Sequence, residues 1–228
     1  MKELVLNVNK LTIRYKDAEE PVIHNLSFSL YQGEILCISG KSGAGKSTIV
    51  WALMEILEDY NAVATGEICF EGETLQYQGI DLKDKKWNWR QIALVPQASM
   101  SGFNPLFTIG ETMMEMLDVY EGKGRKEEKK QRIFNLLSMV CLNEDVFYSY
   151  PHELSGGMKQ RAAIAMAIMF HPKVLILDEA TTGLDLLIQA EVLGTILELK
   201  KKEDISILFI SHDKILADSF CDRQISIN

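Results

Sequence analysis

The sequence contains no apolar run near the ~18 residues needed to span a bilayer. No segment is therefore read as transmembrane, and any role at a membrane falls to a partner. It contains no C-x-x-C pair. Cys37, Cys69, Cys141 and Cys221 are scattered, which reads as core thiols in a reducing cytosol rather than a metal site. Basic residues are not in excess: 24 Lys and Arg stand against 32 Asp and Glu, for a formal net charge of -8. Nucleic-acid binders usually show the opposite balance, so no nucleic-acid partner is expected. The opening Met1-Lys2-Glu3-Leu4 runs straight into strand-like alternation, and no secretory signal is expected there. Linkers, internal repeats and low-complexity stretches are also missing. The remainder is an ordinary globular balance, 47% hydrophobic and 25% charged over 228 residues. That suits one domain, or one core with an inserted subdomain.

The most informative stretch is Gly40-Lys41-Ser42-Gly43-Ala44-Gly45-Lys46-Ser47-Thr48. Before it lies Glu34 to Ser39, a buried-strand pattern; after it lies Ile49 to Leu57, a helical one. Strand, glycine-rich turn, Lys-Ser and helix make the context in which G-x-x-x-x-G-K-[ST] is a phosphate loop. Glycines let the backbone turn so that its N–H groups face an anion. A helix starting near Lys46 adds its positive dipole end. Lys46 can reach the β- and γ-phosphates, and the Ser47 hydroxyl can hold Mg²⁺. The plain alternative is a flexible Gly/Ser turn. The bare pattern arises by chance in roughly one chain in a hundred of this length, and the strand–helix context favours nucleotide binding.

Two strands are predicted before this stretch, at residues 3 to 15 and 22 to 31, forming an antiparallel hairpin beside the phosphate-loop strand. Tyr15 ends the first. It is either an edge aromatic or a platform for an adenine ring. Gly66 to Gly72 reads as a short strand. Lys83 to Arg90, with Trp87 and Trp89, reads as a half-exposed loop or helix start rather than a base-stacking platform. Ile92 to Val95 is a buried strand followed by Pro96 and Gln97. From 98 to 150 helical periodicity takes over, with Ile109, Met113, Met116 and Leu117, then Ile133, Leu136, Leu137 and Val140. This region reads as a mostly helical insert.

Leu154-Ser155-Gly156-Gly157 precedes a helix predicted from Met158 to Phe170. Ser155 there is a helix cap or a second anion site. Val174 to Leu177 is an apolar strand ending in Asp178-Glu179. Acids at that edge lie where α/β proteins hold ligands. Asp178 suits Mg²⁺ through a water, and Glu179 suits a base acting on water. A helix is predicted from Leu186 to Lys202. A last buried strand, Ile205 to Ile210, leads to Ser211-His212-Asp213, and a short strand lies within Asp222 to Ile227.

Taken together these residues resemble the ATP-binding subunit of an ABC transporter, over nearly the whole chain. Gly40 to Thr48 matches the Walker A loop and Gln97 the Q-loop. Leu154-Ser155-Gly156-Gly157-Met158 matches the signature. Val174 to Glu179 matches Walker B with its catalytic glutamate, Gly183-Leu184-Asp185 the D-loop, and His212 the switch histidine. Finer details resemble the branch that imports dipeptides, oligopeptides and nickel: Phe103-Asn104-Pro105 with Thr108 to Glu111, the signature running on to Arg161, and Leu184 to Ala190. Ala180 stands where proline is usual, Gly183 where alanine is usual and Phe103 where leucine is common. None of these departures removes a catalytic group. The branch usually carries a longer carboxyl-terminal extension, so features housed there are not carried over.

The resemblance implies an α/β P-loop ATPase core with an N-terminal antiparallel part. Residues 1–97 and 156–228 would form the core, and about 98–155 a helical subdomain. It implies ATP and Mg²⁺ as ligands, with Ser47, Gln97 and Asp178 around the metal, Tyr15 on the adenine, Glu179 behind the attacking water and His212 on the γ-phosphate. It implies a head-to-tail pair of ATPase subunits, so that each signature binds the partner's ATP. It also implies two transmembrane permease subunits, an extracytoplasmic substrate-binding protein, and a peripheral place on the cytoplasmic face of the cell membrane. The alternatives are a soluble ATPase of translation or repair, and a regulatory subunit that binds nucleotide without hydrolysing it. Glu179 and His212 argue against the second.

Overall fold

The computed structural model describes residues 3–78 and 91–227. The segment Lys83 to Arg90, with Trp87 and Trp89, lies outside the described residues. The chain divides into two compact units. One is formed by the chain up to Leu94, Pro172–Glu179 and the chain from Asp204 onward; the other by Val95–His171 and Ala180–Glu203.

The first unit holds two sheets. β1 (Leu4–Tyr15) and β2 (Ile23–Tyr31) pair antiparallel, with Val8 opposite Phe28 and Ile13 opposite Ile23. Their alternating apolar residues turn inward: Leu6, Val8, Leu11, Ile13, Phe28 and Leu30 are buried. The expected hairpin is thus present, but it does not join the phosphate-loop strand. Its sheet continues instead through β4 (Ala62–Phe70) and β5 (Glu73–Gln78), in the order β2-β1-β4-β5. β4 is longer than the strand expected at Gly66, and β5 has no counterpart in the sequence pattern.

The second sheet takes β3 (Ile35–Ser39), β6 (Ile92–Val95), β7 (Val174–Asp178), β8 (Ser206–Ser211) and β9 (Arg223–Ser226), in the order β6-β7-β8-β3-β9. Pairings β7–β8, β8–β3 and β3–β9 are all parallel. Strands β3, β7 and β8 are buried at every position. That is why their sequences are unbroken apolar runs rather than alternations.

Helix α1 (Lys46–Leu53) begins at Lys46 as expected but ends before Leu57. Glu55 takes a left-handed conformation (φ 56), and a helix cannot continue through it. Ile49, Val50, Ala52 and Leu53 of α1 join side chains of both sheets in one apolar core.

The second unit is helical, as the change of periodicity predicts. α2 (Ile109–Glu121) opens with a capping box in which Thr108 and Glu111 satisfy each other's backbone N–H. α3 (Lys126–Met139) packs against it, with Ile109, Met113, Leu117, Ile133 and Leu137 all buried. α4 (Gly156–Ile168) begins two residues before the expected start, because Gly156 and Gly157 are its first turn and not a loop. α5 (Leu186–Glu203) packs against α4. Back in the first unit, a short helix α6 (Lys214–Phe220), not expected from the sequence, separates β8 from β9.

Candidate functional site

Strand register builds the site in the first unit. Ser39 is opposite Ser211, and Asp178 is opposite Ile210. The carboxyl ends of β3, β7 and β8 therefore coincide. The glycine-rich loop after β3, Glu179 after β7 and His212 after β8 are delivered to the same edge. In an open α/β sheet this edge is the ligand-binding one.

The loop between β3 and α1 turns through Gly45, the residue that caps α1, at φ 85. A side chain there would also meet Ile23 Cδ1 at 2.9 Å, so both conformation and space require glycine. As in any helix, the first N–H groups of α1 have no intrahelical partner, and they lie where the dipole is positive. The Lys46 side chain is 5% exposed. Its ammonium donates to the carbonyls of Gly40 and Lys41, each at 3.0 Å, and lies 3.4 Å from Glu179 Oε1. A buried ammonium held this way is a fixed positive point inside the loop.

Ser47 Oγ donates to Asp178 Oδ2 over 2.9 Å. Asp178 is buried, and among the described residues its Oδ1 has no hydrogen-bond partner. Burial holds the Asp178 carboxyl above its ordinary value. The Ser47 hydrogen bond opposes this, the charge of Glu179 reinforces it, and Lys46 opposes it. A buried carboxylate oxygen without a partner beside a hydroxyl is a donor set suited to a hard cation such as Mg²⁺. Among the described residues no three His, Cys, Asp or Glu side chains gather as a metal cluster. A cation here would draw further ligands from water and phosphate, as Mg²⁺ commonly does.

Glu179 sits in the left-handed region (φ 49) with its N–H bonded to the Ile210 carbonyl at 3.0 Å. A non-glycine residue held there stores local strain, a pattern that clusters at functional sites. Its Oε1 is 3.4 Å from His212 Nδ1 as well as from Lys46. Glu179 is nearly buried while the His212 side chain is 53% exposed, so the imidazole faces outward over the acid. The turn carrying His212 is pinned on both sides. Ser211 Oγ accepts from Asp213 N–H at 3.0 Å, and Asp213 caps α6 by accepting from Leu216 N–H at 3.1 Å. Sequence reasoning misses Ser211 and Asp213 as supports; an Asp separated by one residue from Ile215-Leu216-Ala217 is the available sign.

Tyr15, at the end of β1, is half-buried, and its hydroxyl lies 3.0 Å from Thr48 Oγ1. The first unit thus gathers Tyr15, the loop from Gly40 to Thr48, Asp178, Glu179 and His212. Gln97, the stretch Leu154 to Met158 and Gly183 to Asp185 belong to the second unit. Gln97 is exposed, two residues beyond β6. Ser155 caps α4 by accepting from Met158 N–H at 3.3 Å, and Ser155 and Gly156 are exposed. Gly157 is buried; a Cβ on it would lie 2.3 Å from Ile188 Cγ2 of α5. Asp185 Oδ1 accepts from the N–H groups of Leu187 and Ile188 at the start of α5.

A family model described as ABC transporter matches residues 23–182. The dipeptide transport ATP-binding protein DppD of Escherichia coli (strain K12) is 38% identical over 217 residues, covering 93% of this chain and 65% of DppD. The oligopeptide transport ATP-binding protein OppD of the same strain is 35% identical over 226 residues, covering 97% of this chain and 66% of OppD. The chain therefore spans about two thirds of the length of these curated relatives. Among solved structures, the dimeric post-hydrolysis state of the ATP-binding cassette MJ0796 bound to ADP and Pi superposes with a TM-score of 0.79 at 27% identity. That match covers 98% of this chain and 94% of the other. With the matched stretch containing the loop, Asp178 and Glu179, the chain belongs to the ABC transporter family.

Proposed function

We propose that the chain binds Mg²⁺-ATP and hydrolyses it as the motor subunit of a peptide importer. The convergence of Lys46, Ser47, Asp178, Glu179 and His212 at one sheet edge carries this reading. The loop N–H groups and Lys46 bind the phosphates. Ser47 and Asp178, with Gln97 as a further ligand, would hold Mg²⁺, which would supply charge neutralisation on the phosphate oxygens. Glu179 orients water and takes its proton; His212 contacts the γ-phosphate. Tyr15 carries the adenine. Catalysis is then positioning plus charge stabilisation, with no covalent intermediate.

In this reading the chain is one ATPase domain with a helical subdomain at about 98–155. The signature residues Leu154 to Met158 and the Gly183 to Asp185 turn act on ATP held by a second ATPase subunit, a copy or a paralogue. The exposed N-terminus of α4 supports that assignment. Two permease subunits and an extracytoplasmic binding protein complete the machine, with this chain peripheral at the cytoplasmic face. Among the described residues no helix is long and apolar enough to cross a membrane, so this reading gives the path for cargo to partners. The names of DppD and OppD support a peptide cargo; they lend no support to nickel.

The test is light scattering on Glu179→Gln with and without Mg²⁺-ATP, beside ATPase assays on the native chain. A mass that doubles with ATP, together with native turnover, supports a symmetric motor. A monomer that binds ATP points to a paralogue as partner. Absence of nucleotide binding overturns the reading.

A further inference from the structure

We propose that Thr48 is a positioning residue for Tyr15, and that its hydroxyl sets the distance between the base platform and the phosphate loop. The inference rests on the nucleotide reading of the site and deepens it. In the sequence Thr48 is simply the last residue of the loop motif. In the fold its Oγ1 lies 3.0 Å from the Tyr15 hydroxyl, across 33 positions of sequence. Thr48 is 3% exposed and sits in the first turn of α1, so its side chain has little freedom.

Tyr15 is different. Its backbone is held by pairing with Ala62 and by the turn in which Ala18 N–H donates to its carbonyl at 3.1 Å. Its ring is half-buried, at the end of a strand in a different sheet from the loop. The phenol hydroxyl is the ring's one polar group, and Thr48 holds it. A second contact lies close by: Gly45 packs so tightly on Ile23 and Val22 that a Cβ would come within 2.9 Å of Ile23 and 3.0 Å of Val22. One polar and one apolar contact thus tie the end of the antiparallel sheet to the loop. The apolar one fixes the backbone. The Thr48–Tyr15 bond fixes the ring.

A ligand that spans both features, an aromatic base joined to a triphosphate, gains from a platform that is already in place. A bare polyphosphate gains nothing from it. That difference separates positioning of Tyr15 from direct contact with phosphate, which the Thr48 hydroxyl could also make.

The experiment measures equilibrium binding of Mg²⁺-ATP and of Mg²⁺-tripolyphosphate to the full chain, with folding followed by thermal melts. The proteins are native, Thr48→Val, Thr48→Ser, Tyr15→Phe and the Thr48→Val/Tyr15→Phe double variant. Loss of one hydrogen bond should weaken ATP binding roughly three- to tenfold in each of Thr48→Val and Tyr15→Phe. The double variant should be no weaker than either single one, because both remove the same bond. Thr48→Ser should restore native affinity, and tripolyphosphate should bind all five alike. Equal weakening of ATP and tripolyphosphate in Thr48→Val, or additive losses in the double variant, would overturn the proposal. Tyr15→Phe tests the same bond should Thr48→Val fold poorly. A native chain that binds neither ligand would overturn the nucleotide reading itself.

Discussion

Ser47 donates its hydroxyl hydrogen to one oxygen of Asp178 and leaves the other oxygen buried without a partner among the described residues. The bond joins the phosphate loop to the end of β7 across 131 positions. A buried carboxylate in this state is unfavourable without a cation and favourable with one.

Asp178→Asn should therefore melt at a higher temperature than the native chain in EDTA at neutral pH, and should lose the stabilisation that Mg²⁺-ATP gives the native protein. The sign comes from linkage. The folded Asp178 carboxyl is raised, mainly by burial, so the folded state holds its proton more tightly than the unfolded state. Native stability then falls as pH rises from the ordinary carboxylate value through the raised one. The advantage of Asp178→Asn in EDTA should shrink as pH is lowered through the same window. Melting curves against pH, with and without Mg²⁺-ATP, provide the check.

Glu179→Gln should retain ATP binding and reduce turnover by about 10²–10⁴-fold, the usual contribution of a positioned base. His212→Ala, which removes the imidazole 3.4 Å from Glu179, should lower kcat more than it changes ATP affinity. Near-native turnover in Glu179→Gln would remove it as the base. Steady-state kinetics beside a binding titration separates these outcomes.

Gly157→Ala should destabilise the helical unit by about 1–3 kcal/mol, the typical penalty for overpacking. The new methyl would lie 2.3 Å from Ile188 Cγ2. Adding Ile188→Ala should recover part of the loss, because it opens space at that contact. Urea unfolding of the single and double variants measures both effects.

Ser99→Ala should also destabilise, by about 1–3 kcal/mol. Ser99 Oγ donates to Gln160 Oε1 at 2.8 Å, and Gln160 is buried with its Nε2 lacking a partner among the described residues. Removing the serine hydroxyl takes away this donor as well. The midpoint of denaturant unfolding reports the change, and Ser99→Thr should retain most of the stability.

The elements legible in the sequence are those whose cause is local. The apolar runs of β3, β7 and β8, the helical periods of α2 and α3, and the Ser155 cap all depend on residues within a few positions of one another. The departures have local causes too. Met54 to Leu57 continue the apolar pattern of α1, yet Glu55 turns left-handed and Ile56 N–H bonds to the Trp51 carbonyl. In β5, Leu75 and Tyr77 are buried at alternate positions, but Glu73, Thr74, Gln76 and Gln78 surround them and leave only two apolar residues to mark the strand. α6, with 7 residues, is too short to show a period.

By itself the sequence determined the strand–loop–helix unit around Lys46 and the acids after Leu177, because each is a contiguous pattern, and the family, because several such patterns follow one another in order. Only the tertiary structure decided that β3 lies between β8 and β9, and that Tyr15 and Thr48 meet from different elements. Strand order and register depend on which buried faces pack together over long separations. No short pattern encodes that choice, and it is the register that brings Ser47 to Asp178 and His212 to Glu179.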